Sequence, residues 1–154
     1  MEKKILFFFL CFFISQVSSA QAKSVYFELL GPGLASFNFD TRFTKSEGGI
    51  GGRVGIGGFS IDGESMVFLP LGINYLLSKD QRNYFEVGGG ITPVITSVEA
   101  DNGQNFRTTF GHLLFGYRLQ PANGGFSFRA FVNPVFGKGF FVPYYAGLSF
   151  GYKF

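Results

Sequence analysis

Seven ionisable residues fall on the polar side of an alternating pattern. Glu28, Asp40 and Glu86 carry acid; Arg42, Arg53, Arg118 and Arg129 carry base. In the stretches around them, polar or small residues take every second position and apolar residues take the positions between. Three carboxylates and four guanidinium groups in one enclosed space have two uses. They can neutralise one another, because an ion left unpaired away from water is costly, or they can line a gated path for ions. Mutual compensation in a narrow, dry interior is the expected role, and it predicts a network joining all seven. Two of the carboxylates could in principle work as acid and base, but each has an arginine to match, which explains it without catalysis.

Other chemistry has little to work with. His112 is the only histidine. A general base needs a nucleophile in reach, yet Leu114 lies two positions on and no serine is near in sequence. No catalytic residue is assigned. One histidine, a single cysteine at Cys11 and no clustered ligand spacing give no metal site, and no cofactor is expected. Gly49, Gly51, Gly52, Gly55, Gly57 and Gly58 crowd one short stretch. A phosphate-binding loop would need a helix after it, and nothing helical follows; a strand bent hard inside a narrow barrel explains the glycines. The basic residues are scattered rather than clustered, so there is no footprint for nucleic acid.

The elements that position these residues are strands. No segment has a helical period, and stretch after stretch repeats every two residues. Residues 25–43 place Val25, Phe27, Leu29, Ala35, Phe37, Phe39 and Phe43 on one face and Glu28, Ser36, Asn38, Asp40 and Arg42 on the other. Gly31-Pro32-Gly33 interrupts them as a tight turn or a kink. Residues 50–60, 66–77, 84–97, 106–119 and 126–136 alternate likewise. Turns are expected at 45–49, at Asp62-Gly63, at 78–82, in the polar loop 99–105, at 120–124 and at 137–139. Pro70, Pro93, Pro134 and Pro143 fall where strands should be, and rim or bulge positions would tolerate them.

Residues 1–22 stand apart. Lys3 and Lys4 precede the apolar run 5–14, and small residues end it at Ala20-Gln21-Ala22. This is the layout of a cleaved secretory signal peptide, with cleavage after Ala22 and Ala20 as the close alternative. The run is too short for a membrane-spanning helix, which needs about 20 apolar residues. Cys11 lies within it, so the remaining domain, 23–154, has neither disulfide nor thiolate chemistry. Its formal charge falls from +3 for the whole chain to +2. All 23 Gly and 18 of the 23 Phe lie beyond residue 22, a composition that suits a thin closed wall of sheet better than a packed sandwich.

The last stretch decides which way the faces point. Taken backwards in twos, Phe154, Tyr152, Phe150, Leu148, Ala146 and Tyr144 form one apolar, aromatic face, while Lys153, Gly151, Ser149 and Gly147 are small or polar. A stretch that stops on Phe154 after such an alternation resembles the C-terminal signal strand of bacterial outer-membrane β-barrels. The resemblance implies a transmembrane, antiparallel up-and-down β-barrel of the OmpA/OmpX type, located in the bacterial outer membrane. It further implies membrane lipids as neighbours, and the barrel-assembly machinery as a partner that reads Tyr144, Phe150, Tyr152 and Phe154. In lipid only a closed barrel satisfies the backbone of strands, so the apolar faces turn outward and the charges inward. Reading Gly31-Pro32-Gly33 as a turn makes eight strands, an even number that leaves both termini on one side; a kink would make seven. Tyr75, Tyr84, Tyr117, Tyr144 and Tyr152 are the girdle candidates. The lumen is expected to be polar and largely filled. A structural or interaction role in the envelope is favoured over a small pore or transporter for apolar solutes and over a lipid-modifying barrel enzyme. The short loops weigh against adhesion. Inverted faces would mean a soluble lipid-binding barrel.

Overall fold

In a computed structural model of the chain, residues 21–61, 64–99 and 105–154 are described, with side chains at 21–60, 65–96 and 108–154. The expected signal peptide up to residue 20, the turn at Asp62-Gly63 and the centre of the loop 99–105 lie outside them. The described residues form one antiparallel sheet closed on itself, with no helix among them. Eleven strand segments make eight staves. These are β1 (Lys23–Gly31), β2 (Leu34–Arg42), β3 (Gly49–Ile61), β4 (Glu64–Phe68) continued by β5 (Leu71–Leu77), β6 (Asn83–Glu99), β7 (Asn105–Leu119), β8 (Gly125–Val132) continued by β9 (Val135–Gly137), and β10 (Phe140–Val142) continued by β11 (Ala146–Lys153). Each stave pairs with the next, and β11 returns to β1 with Phe27 opposite Phe150 and Ser24 opposite Lys153. Gly31-Pro32-Gly33 is the turn between β1 and β2, so the count is eight.

The alternation resolves into two environments. Along β11, Leu148, Phe150 and Tyr152 are exposed while Gly147, Ser149 and Lys153 are buried. The same holds around the barrel, from Val25, Phe37, Ile56 and Ile73 to Phe85, Phe115 and Phe126, all exposed. Glu28, Asp40, Arg42, Glu86, Arg118 and Arg129 are buried. The apolar faces therefore point out and the charged faces in, which excludes the inverted, soluble arrangement. Tyr84 departs from the expected girdle: it is 2% exposed and faces the lumen, because it shares parity with Glu86. Tyr75, Tyr117, Tyr144 and Tyr152 are on the outside.

The prolines interrupt staves without opening the ladder fully. Pro70 separates β4 from β5, Pro134 separates β8 from β9, and Pro143 separates β10 from β11. A proline cannot donate, but its carbonyl can still accept. Pro70 O accepts from Gly55 N (2.8 Å), Pro93 O from Leu69 N (3.0 Å) and Pro134 O from Leu113 N (2.9 Å).

The two ends of the barrel differ. Both described chain ends, at Gln21 and Phe154, lie at the end with the turns 43–48, 78–82 and 120–124. There Gly124 and Gly125 both take positive φ (81° and 123°) to reverse the chain, a conformation that costs glycine little. In the turn 78–82, Asp80 accepts from the Asn83 side chain (2.6 Å) and from the backbone N–H groups of Asn83 and Arg82 (2.8 and 3.0 Å). These bonds, the one from the Asn83 side chain foremost, hold the Asp80 carboxyl below the usual range.

At the opposite end the wall is uneven. β1 and β2 have 9 residues each, whereas β6 has 17 and β7 has 15. At about 3.4 Å per residue and a tilt of roughly 40°, β1 rises about 23 Å and β6 about 44 Å. The β1–β2 hairpin is strained at its tip. Leu30 (φ 55°) and Leu34 (φ 59°) both occupy the left-handed region, at about 1–2 kcal/mol each for a residue with a side chain. A bulge between Leu29 and Gly31 accompanies them.

Closure is reinforced by aromatic rows. Phe37, Phe27, Phe150 and Phe128 stand in register across β2, β1, β11 and β8. The Phe27–Phe37 and Phe128–Phe150 ring centroids are 5.0 and 5.4 Å apart. Cross-strand aromatic pairs of this geometry contribute about 0.5–1.5 kcal/mol beyond burial. A double-mutant cycle on Phe128→Ala and Phe150→Ala, followed by urea unfolding in lipid vesicles, is therefore expected to give a coupling in that range. Strict additivity would mean that the rings are neighbours without interaction.

Candidate functional site in the barrel lumen

The seven predicted residues come from β1, β2, β3, β6, β7 and β8, and the closure of the sheet turns them to one axis. Asp40 and Arg42 are two apart on β2 and share a face; Arg53 lies opposite Asp40 on β3, and Arg129 opposite Arg118 on the β7–β8 pair. Glycines make room for them. A side-chain carbon on Gly51 would overlap the Arg42 guanidinium, and one on Gly55 would overlap Asn38 Oδ1.

The residues form two linked clusters. In the first, Asp40 Oδ1 accepts from Arg42 Nη2 (2.7 Å) and Arg118 Nη2 (3.1 Å). Glu86 accepts from Arg129 through Nε (2.9 Å) and Nη2, and lies 3.6 Å from Arg118 Nη1. In the second, Glu28 accepts from Arg53 through both terminal nitrogens (3.1 and 3.3 Å). Arg129 Nη1, 4.0 Å from Glu28, joins the two. Each arginine thus meets a carboxylate, and the cluster crosses the lumen from wall to wall. A further pair, Lys153 with Glu47 (2.5 Å), sits toward the end that holds the termini.

Three members of this network were not singled out by sequence reasoning. Asn74, on β5, is its bridge: Nδ2 donates to Asp40 Oδ2 (2.6 Å) and Glu86 Oε1 (2.7 Å), while Oδ1 accepts from Arg42 (2.5 Å). With Arg118, which also reaches both, it is one of two side chains that join these carboxylates. Ser24 accepts from Arg118 Nη2 (2.9 Å), and the Tyr26 ring lies under the Arg129 guanidinium at 4.4 Å. All three share the parity of the charged residues, so the signal was present; their neutrality hid them.

His112 is buried, and its Nδ1 lies 3.2 Å from the Thr92 hydroxyl across the β6–β7 pair. That contact pairs one ring nitrogen with a buried hydroxyl. Among the described residues no three of His, Cys, Asp and Glu are grouped to hold a metal.

The expectation of a polar, filled lumen holds only toward the end with the termini. Above the ion pairs apolar residues join the polar ones inside, Leu114, Phe131, Val94 and Phe68 being buried beside Thr92, Thr96, His112 and Asn133. Beyond them lies a cavity of about 340 Å³, walled by Pro32, Leu34, Phe68, Phe110, Val135 and Val142 among others. Parity assigns a face but not a height, and these residues have the same parity as the charges below them.

The polar cluster is tightly interdependent, so removing one partner should cost more than removing both. Arg53→Met leaves the Glu28 carboxylate short of its bidentate partner, and loss of one member of a buried pair costs on the order of 3–5 kcal/mol. The double variant Glu28→Gln/Arg53→Met is expected to recover most of that loss in urea unfolding from vesicles.

No family model matches the chain. No curated protein matches it either. Two solved structures share its fold. The N-terminal β-barrel domain of Pseudomonas aeruginosa OprF is 12% identical with a TM-score of 0.63, covering 88% of this chain and 98% of that one. The Yersinia pestis outer membrane protein Ail, in a phospholipid bilayer nanodisc, is 12% identical with a TM-score of 0.54, covering 89% of this chain and 99% of that one. At that identity the likeness extends to the fold, a closed eight-stranded barrel of the outer-membrane type.

Proposed function

We propose that the chain is an integral, non-conducting barrel of the bacterial outer membrane with a structural or interaction role in the envelope. The observation that carries this reading is the ion-paired cluster across the lumen. Asp40, Glu86, Asn74, Arg42, Arg118 and Arg129 link β2, β5, β6, β7 and β8 through the middle of the barrel. An interior of eight strands is only wide enough for side chains to fill, so such a cluster leaves no water-filled path. The apolar belt outside, from Val25 and Phe37 to Phe150, supports insertion in lipid. The likeness to OprF and Ail supports the outer membrane as the location. By the bacterial pattern of short periplasmic turns, the end with the termini faces the periplasm.

Export with a cleaved leader fits this location, and the barrel bears on where cleavage falls. Ala22 is buried and its carbonyl accepts from Arg42 N (3.0 Å), extending the β1–β2 ladder. Cleavage after Ala20, which keeps Ala22, is favoured over cleavage after Ala22. The C-terminal stretch Tyr144, Phe150, Tyr152 and Phe154 remains the surface offered to the assembly machinery. Phe154 follows the last residue of β11 and is exposed, so its side chain contributes little to the folded wall.

Three outcomes are expected. Protein from isolated outer membranes resists carbonate extraction, shifts mobility on boiling, and gives no steady conductance in planar bilayers; a steady, ion-selective conductance would overturn the plugged lumen. Mass spectrometry of the mature chain finds Gln21 as the first residue. Phe154→Ala lowers the amount assembled in cells several-fold while leaving refolding of the purified chain into detergent unchanged.

A further inference from the structure

The apolar cavity has a place in the wall through which it can be reached. The β1–β11 ladder ends at Leu29 opposite Leu148, and β10 pairs only with β9. No ladder therefore joins the tip of the β1–β2 hairpin to β10. The two sides of that gap are Gly31 and Pro32 on one side and Val142 and Tyr145 on the other, and all four line the cavity. The bulge and the two left-handed leucines at the hairpin tip turn Gly31 inward and bring Leu34 to the cavity wall. The short hairpin thus ends where the cavity begins.

The outer rim of the gap is continuous with the belt that faces lipid. Leu30, Phe140, Phe141 and Val142 are exposed there, and Tyr144 is 91% exposed. A rise of about 23 Å for β1 is close to the height of roughly 25 Å of an outer-membrane apolar band. The gap consequently lies near the edge of the apolar band, where hydrocarbon meets headgroups. The Tyr145 hydroxyl is buried with no hydrogen-bond partner, and it belongs to one of the cavity's lining residues. Below, the cavity ends on the ion-paired cluster: a side-chain carbon on its lining residue Gly31 would overlap the Glu28 carboxylate.

Resting on the reading of the chain as a membrane-spanning barrel, we propose that this cavity takes one acyl chain of a membrane lipid from the adjoining leaflet, entering sideways between the β1–β2 hairpin and β10. Its lining offers hydrocarbon contact and no charge, which suits an alkyl chain and rejects a headgroup. At roughly 30 Å³ per carbon, the volume one water takes in the liquid, a cavity of about 340 Å³ holds on the order of ten methylenes. The headgroup stays at the interface, beside Tyr144.

The chain has no tryptophan, so a single one is a clean probe. Three single-tryptophan forms of the full barrel are placed in phosphatidylethanolamine nanodiscs whose acyl chains carry bromine at mid-chain: Phe110→Trp in the cavity, Phe85→Trp on the outside, and Tyr84→Trp in the polar lumen. Phe68→Trp replaces Phe110→Trp if the latter loses its mobility shift on boiling. The proposal expects Phe110→Trp to lose most of its emission, as Phe85→Trp does, while Tyr84→Trp, which reports any quenching through the wall, keeps its own. Filling the cavity with Val135→Phe should restore the Phe110→Trp emission and leave Phe85→Trp quenched. An unquenched Phe110→Trp beside a quenched Phe85→Trp would overturn the proposal. So would quenching by added brominated free fatty acid alone, which would assign the cavity to a different source of the same chain chemistry. An unquenched Phe85→Trp would instead sink the membrane-spanning reading beneath it.

Discussion

An eight-stranded barrel encloses a space about one side chain deep from each wall, and most of the structure follows from that narrowness. An arginine that points inward must have a glycine or another small residue beside it, as Arg42 has Gly51. It must also find a carboxylate, since there is little water to replace one. The result is a lumen in which every charge is shared. Asp40 serves Arg42 and Arg118, Glu86 serves Arg118 and Arg129, and Asn74 joins the two carboxylates. The apolar positions, having no room inside, go outside, and there they meet the only solvent that welcomes them.

The same constraint divides the barrel into two functional halves. Toward the termini the lumen is closed by ion pairs that tie six staves together across the axis. Toward the other end apolar residues join the polar ones inside and the wall drops on one side, because β1 and β2 stop well short of β6 and β7. The lumen therefore has two unlike linings, an ion-paired one below and one with an apolar cavity above. The strained hairpin at Leu30 and Leu34 stands at the boundary between these halves.

Much of this was legible along single strands. The alternation in residues 146–153 identifies the lipid-facing and lumen-facing sets one by one, and the parity of Glu28, Asp40 and Glu86 with the arginines foretells their meeting. Tyr84 goes inward because it shares parity with Glu86, although its ring suits a girdle as well as a lumen. The apolar cavity was invisible for a different reason. Staves of unequal length and slanted register decide which inward residues share a level, and only the closed sheet brings Pro32, Phe68, Phe110 and Val142 around one space. Charge alone does not mark Asn74, a neutral amide that donates to both carboxylates.

The central claim is the orientation of the faces, and a spin-label scan along β11 tests it most directly. The segment after residue 22 has no cysteine, so single cysteines at 146–153 can be labelled one at a time in vesicles. Accessibility to oxygen, which concentrates in lipid, is expected to alternate with a period of two and to peak at Leu148, Phe150 and Tyr152. Peaks at Gly147, Ser149 and Gly151, or no alternation at all, would contradict a barrel that keeps its charges within and its aromatics in the membrane.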